Sequence, residues 1–249
     1  MIRLFQDIID SGAVVCASGH HTGTWFALNF LLGLDGFDRV VELRDMIDGK
    51  EEPDNNSIVH FHLTGETIHS RGQVECVGFE HAKELLAEVQ SIVPLRDPMS
   101  SVISRNQRHP GMAHFFILDA FMFMDQLPER CFFLPVDLHQ PARLYEMYSD
   151  YGMENRSYAA RRDKLMEACV YLGETFNEHV HRYAFDWPSS NTRGEYALKV
   201  LYEKHQDLQG VRRFFPCEYD YLIQNGSRII PFLKSKGYEY LPWFKECVL

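Results

Sequence analysis

The stretch "VVCASGHHTGTWFALNFLLGL", Val14 to Leu34, opens with the apolar run of a buried strand and closes as an amphipathic helix from Thr24 to Leu34. Between them stand Gly19, His20, His21, Thr22 and the Gly23-Thr24 pair. Strand, tight loop and helix in that order aim the first-turn amides of the helix at whatever lies over the loop. The helix dipole favours an anion there, so a phosphate group fits. The usual nucleoside-triphosphate loop carries Lys directly after its second glycine, whereas Gly23 is followed by Thr24 and Trp25. The loop is therefore no standard ATP or GTP loop. A P-loop kinase, which also needs a magnesium-holding arrangement, is disfavoured.

Strand-like apolar runs recur at "AVVCAS", "SIVHFHL", "SIVPLRD" and "RCFFLPVD". Helix-like stretches lie at Thr24–Leu34, His81–Gln90, Pro98–Gln107, Met112–Gln126 and Gln140–Tyr151. Such alternation predicts an α/β fold with a central parallel sheet flanked by helices. Further helix signals at Arg193–His205, Pro216–Asn225 and Ser227–Lys236 predict a helical C-terminal cap. The 249 residues, 45% of them hydrophobic, read as a single domain with a core over about 1–151 and a mainly helical part over about 152–249. "DGKEEPDNNS", Asp48 to Ser57, reads as a surface loop and not as a linker.

A formal charge of −10 argues against broad attraction to nucleic acid or to an anionic membrane, so any anion site has to be built locally. The six cysteines have no CxxC spacing, which points to reduced, mostly buried thiols. The start "MIRLFQDIIDSG" has neither the basic opening nor the apolar length of a signal peptide, and no stretch reaches membrane-span length. The expected compartment is the cytoplasm.

"VPLRDPMSSVISRNQRHPG" holds a second candidate anion element. Arg96 ends a strand-like run, Pro98 suits a first helical position, and Ser104 follows Arg96 by eight positions, about two turns into the helix. An Arg fork and a Ser hydroxyl so placed can converge on one phosphate, and the bland alternative is an Arg paired with a surface carboxylate.

Together the two stretches resemble the PAPS-dependent sulfotransferase family. Its loop reads K-S-G-T-T-W or R-K-G-G-T, and its second motif reads R-[ND]-P with a Ser eight residues after the Arg. "SIVHFHL" is similar to the family's strand "IIKTHLP" and places His62 on its catalytic base. "IIPFLKSKGYEYLPWF" is similar to its P-x-L-x-x-x-GY closing helix. The resemblance implies a P-loop-containing, nucleotide-hydrolase-like sulfotransferase fold that binds 3′-phosphoadenosine 5′-phosphosulfate (PAPS), with no metal needed. It also implies transfer of a sulfuryl group to a hydroxyl or amine of a small-molecule, lipid or carbohydrate acceptor. His20, His21, Thr22, Gly23, Thr24 and Trp25 would form the 5′-phosphosulfate loop, while Arg96 and Ser104 would hold the 3′-phosphate.

The family's loop lysine is missing. Alignment on Gly-Thr puts His21 at its place, and alignment on Thr-Trp puts His20 there; an adjacent phosphosulfate anion would favour the imidazolium form. The late Arg-Lys-Gly stretch has three partial counterparts, Arg193-Gly194, Arg212-Arg213 and Arg161-Arg162, of which Arg193 matches best in local form. His62 and His21 are thus the catalytic candidates, and Glu66 is the replacement base if His62 is structural. The rival to an enzyme is a PAPS-binding relative with weak or no turnover and a regulatory or scaffolding role. Trp25 packs under the nucleotide or anchors its helix. The aromatic and methionine run from Phe115 to Met124 is core or acceptor pocket. "GHH", "HFHL" and "EHVHR" carry no zinc-ligand spacing, and His60 reads as a satisfied or exposed strand histidine.

Overall fold

Alternation along "SIVHFHLT" sets the two faces of the sheet, because successive side chains of a strand point to opposite sides. In the computed structural model of the protein, the described residues are 2–64, 76–108, 115–136, 156–177, 202 and 206–247. Val59, Phe61 and Leu63 enter one buried cluster, whereas Ile58 enters another on the opposite face. His60 and His62 lie in step with Ile58, toward the C-terminal end of the strand. A strand buried on both faces reads as a near-continuous apolar run, which describes this one apart from its two histidines and its polar ends, Ser57 and Thr64.

The sheet is wholly parallel. Its strands are β1 (Val14–Ser18), β2 (Arg39–Glu42), β3 (Ser57–Thr64), β4 (Cys76–Gly78), β5 (Ser91–Leu95) and β6 (Phe132–Pro135). Their order is β2, β3, β1, β5, β6, and β4 pairs with the last residues of β3. The chain thus builds one half of the sheet on one side of β1 and then crosses to the other. The C-terminal end of β1 is the switch point where ligands of open α/β sheets lie.

Around the sheet run α1 (Ile2–Ser11), α2 (Thr24–Leu32), α3 (Leu43–Ile47), α4 (Phe79–Leu86), α5 (Pro98–Arg108) and α6 (Phe115–Phe123). Helices also span Arg156–Leu172, Leu208–Phe214, Pro216–Gln224 and Gly226–Ser235. On one face, α2 buries Ala27, Leu28, Phe30 and Leu31 against Val14, Cys16 and Ile58, and Leu165, Ala168 and Cys169 complete that layer. On the other face, residues of α1, α4, α5 and α6 share a cluster with Val211, Phe215, Leu222, Ile229 and Leu233. The described C-terminal helices therefore supply both layers of the core. Each large side chain so buried contributes roughly 1.5–3 kcal/mol.

The expected helices at Pro98–Gln107, Pro216–Asn225 and Ser227–Lys236 form within one residue at each end, and Thr24–Leu34 stops at Leu32. His81–Gln90 starts earlier, at Phe79, and ends at Leu86. Met112–Gln126 is a helix over Phe115–Phe123 with a 3-10 turn at Met124–Gln126, in its described part. Gln140–Tyr151 lies outside the described residues, as does Arg193–His205 apart from Tyr202. Phe121 and Met124 are buried core side chains. All six cysteines are free thiols, and among the described residues no helix is long and apolar enough to cross a membrane.

One buried carboxylate ties the C-terminal segment to the second motif. Asp97 accepts from Met99 N at 3.1 Å and Ser100 Oγ at 3.1 Å, as a residue capping α5. It also accepts from Tyr202 O–H at 2.6 Å and Trp243 Nε1 at 3.1 Å, and both of those side chains are buried. Tyr238 O–H donates to Leu95 O at 2.8 Å, so the closing "GYEYLPWF" grips the end of β5 on either side of Arg96. Truncation of the carboxylate takes this acceptor from four buried donors. Asp97→Ala is expected to cost roughly 3–5 kcal/mol in denaturant unfolding and Tyr202→Phe roughly 1–2 kcal/mol. A loss below about 1 kcal/mol for Asp97→Ala contradicts this role.

Candidate functional site

Ser18 ends β1, and its hydroxyl gathers three side chains. Thr24 Oγ1 donates to Ser18 Oγ at 2.9 Å, His60 Nε2 lies 3.1 Å from it, and His62 Nδ1 also lies 3.1 Å from it. The register explains the meeting: Ser18 sits opposite His62, and Cys16 sits opposite His60. From β2, Glu42 sits opposite His60 and places Oε2 2.8 Å from His60 Nδ1. The four strand residues, Ser18, Glu42, His60 and His62, occupy the face that α2 covers, where the apolar layer gives way to polar side chains at the strand ends.

The loop from Gly19 to Gly23 crosses above this cluster. Thr22 is fully buried and donates its hydroxyl to Gly19 O at 2.8 Å, closing the loop on itself. His21 adopts φ 60° and Gly23 φ 104°, both left-handed. At Gly23 a Cβ would stand 2.7 Å from Val136 Cγ2, so both backbone and space require glycine. The helical ladder of α2 starts with Ala27 N donating to Gly23 O, and its first-turn amides face the loop.

The two loop histidines part. His20 stacks on His62 with centroids 4.1 Å apart, and its Nε2 lies 3.6 Å from Cys76 Sγ of β4. His21 Nδ1 lies 3.4 Å from Ser104 Oγ of α5. The loop thus meets the candidate base through one histidine and the second motif through the other. Burial, then the Arg105 charge, then His60 hold the His20 imidazole down at about 4. His62 is likewise held well below its usual range, first by burial and then by His20 and His60.

The remaining candidates fall as follows. Arg96 follows β5 and is half-buried, and Ser104 is buried. Thr24 turns its hydroxyl inward to Ser18, so its contribution to an anion cradle is its amide. Trp25 is 49% exposed at the start of α2. Arg193 and Glu66 lie outside the described residues. Arg212 pairs with Asp220 at 3.4 Å on the exposed surface, and the Arg162 guanidinium lies over Phe176. His60 is satisfied, as expected. Glu42 and Ser18 carried no signal in the sequence, since neither belongs to a motif and their partners are up to 44 residues away.

Glu42, His60 and Ser18 follow the acid–histidine–serine order of a hydrolase triad. Ser18 is fully buried, however, and three partners fill its one donor and two acceptor positions, so it is no exposed nucleophile. Among the described residues no group of His, Cys, Asp and Glu is placed to hold a metal ion. What the arrangement offers is an anion-facing loop beside a neutral imidazole. No family model, curated protein or solved structure matches this chain.

The depressed histidines make stability depend on pH with a definite sign. Between about 4 and the ordinary 6.5, the unfolded chain binds a proton at His20 that the folded chain refuses, so stability rises with pH through that window. Below it the loss from this residue is on the order of 3 kcal/mol. Denaturant unfolding at about pH 7 and about pH 5 should show roughly 2 kcal/mol of this loss, and His20→Gln should shrink it. An unchanged acid-side slope in the variant contradicts the assignment.

Proposed function

We propose that this protein is a sulfotransferase that moves a sulfuryl group from PAPS to a hydroxyl, or an amine, of a small-molecule, lipid or carbohydrate acceptor. The observation that carries this reading is the parting of the loop histidines. One links the β1–α2 loop to Ser104, and the other stacks on the candidate base His62. The fit to the donor rests on the chemistry of the groups: first-turn amides, His21, Ser104 and Arg96 are anion-binding groups, and they need no metal to supply positive charge. Bound there, PAPS supplies a sulfuryl group and leaves as 3′,5′-ADP.

In this reading the amides of Gly23 and Thr24, with His21 in place of the family's lysine, stabilise the charge that builds on the departing phosphate oxygen. Thr22 keeps the loop closed. Arg96 and Ser104 hold the 3′-phosphate, with Arg193 as the third basic contact. His62 takes the acceptor's hydroxyl proton on a ring nitrogen as the acceptor oxygen bonds to sulfur and the bridging S–O bond breaks. Its depressed proton affinity keeps it neutral and able to accept. The fold is then the P-loop-like sulfotransferase fold, and six free thiols suit a reducing cytoplasm. The missing loop lysine favours one other reading, a PAPS-binding relative without turnover. Labelled-PAPS turnover across acceptor classes separates the two.

The 3′-phosphate gives the sharpest test. The protein should bind 3′,5′-ADP more tightly than 5′-AMP, and Arg96→Ala should remove roughly ten- to hundredfold of that preference while changing 5′-AMP binding little. Calorimetric titration reads both, and equal affinity for the two nucleotides in the wild type sinks the assignment. His62→Ala should lower kcat about a hundredfold with 3′,5′-ADP affinity intact. Near-full turnover in that variant makes His62 structural.

A further inference from the structure

Hydrogen counting through the Glu42–His60–Ser18–His62 chain leaves one arrangement that satisfies every atom. A carboxylate carries no proton to donate, so His60 Nδ1 must be the N–H that donates to Glu42 Oε2 at 2.8 Å. In a neutral ring that leaves His60 Nε2 as a lone pair, and the Ser18 hydroxyl donates to it. Ser18 Oγ then has two acceptor positions. Thr24 O–H fills one, and His62 Nδ1 can fill the other only as an N–H.

The far end of the chain gives the same answer independently. Ser18 O, which can only accept, lies 3.4 Å from His62 Nδ1, so this nitrogen faces two oxygens of the same residue. The competing arrangement, a doubly protonated His60, would have Nε2–H donate to Ser18. Thr24 already donates there, so Ser18 would have to donate to His62 Nδ1 and leave that nitrogen's lone pair facing the Ser18 carbonyl oxygen.

We infer that Glu42 and His60 are positioning residues that act through the Ser18 hydroxyl to fix the His62 proton on Nδ1, leaving Nε2 as its unprotonated nitrogen. For catalysis this rests on the reading of His62 as the base. Nε2 is then the atom that takes the acceptor's proton. The resulting imidazolium keeps its Nδ1–H on Ser18, and the Glu42 carboxylate stands at the other end of the same hydrogen-bond chain to offset the charge. Glu42 ends β2 and makes no side-chain cap to α3, so its carboxylate serves His60.

Long-range proton–nitrogen correlation spectra of protein with isotope-labelled histidine read the tautomers directly, with signals assigned through His60→Gln and His62→Gln. In the wild type, both His60 and His62 should carry the proton on Nδ1. Glu42→Leu removes the acceptor of His60 Nδ1–H, so the His60 proton moves to Nε2, Ser18 reverses its donation, and the His62 proton moves to Nε2 as well. The rate should fall with it: kcat at least about tenfold lower, with the KM for PAPS unchanged. Glu42→Gln, whose amide oxygen still accepts, should restore both tautomers and most of the rate lost in the Leu variant.

A wild-type His62 protonated on Nε2, or a His62 tautomer indifferent to Glu42→Leu, overturns the inference. Switched tautomers with kcat unchanged overturn its catalytic half. The expected tautomers without sulfated product from any acceptor uphold the proton chain and remove the sulfotransferase reading instead.

Discussion

A serine hydroxyl can donate one hydrogen bond and accept two, and the site is organised around that stoichiometry at Ser18. The residue is fully buried, so each position must be filled from within the protein or cost free energy. Filling them ties the end of β1 to the start of α2 through Thr24, to β3 through two histidines, and to β2 through Glu42 behind His60. The loop of Gly19 to Gly23 is strung between the first two of these. Its path is set by the same contacts that set the protons of the imidazoles.

The polar cluster is compatible with a tightly packed sheet because it takes over where the apolar layer ends. Val14, Cys16 and Ile58 pack under α2, and one step farther along the same face come Ser18, His60 and His62. Burial disfavours charge on His62 and on the loop residue His20 stacked over it, which keeps both neutral. A neutral imidazole can accept a proton, which the amides of the adjacent loop cannot. Across β1, Asp97 plays the corresponding part for the other element: Tyr202 and Trp243 hold the turn between Arg96 and α5, and so the direction in which Ser104 is presented.

The elements with strong local patterns were legible. β1 and β5 are short apolar runs, β3 is one interrupted by His60 and His62, and α5 has Asp97 and Pro98 at its start, so their signals lie within a few residues of each other. β2 escaped because "RVVE" is four residues with exposed or half-buried ends. β4 has only three residues, and three residues cannot show a period. The His60–His62 pairing on one face followed from strand alternation. Its meaning did not, because Glu42 reaches His60 only through the register of β2 against β3.

By itself the sequence determined the alternation of strands and helices, the strand–loop–helix unit read over Val14 to Leu34, two residues past the helix end at Leu32, and the Arg96–Ser104 spacing. These depend on side-chain periodicity and on the backbone preferences of Gly and Pro, which act over a few residues. The tertiary structure alone decided that Ser18, Glu42 and His60 share one proton chain, that His20 serves His62 while His21 serves Ser104, and that Asp97 is held by Tyr202 and Trp243. Each of those pairings joins residues 18 to 146 positions apart. Local propensity is blind at that range. Strand register and core packing bring such groups within hydrogen-bonding distance, and burial requires that, once there, they be satisfied.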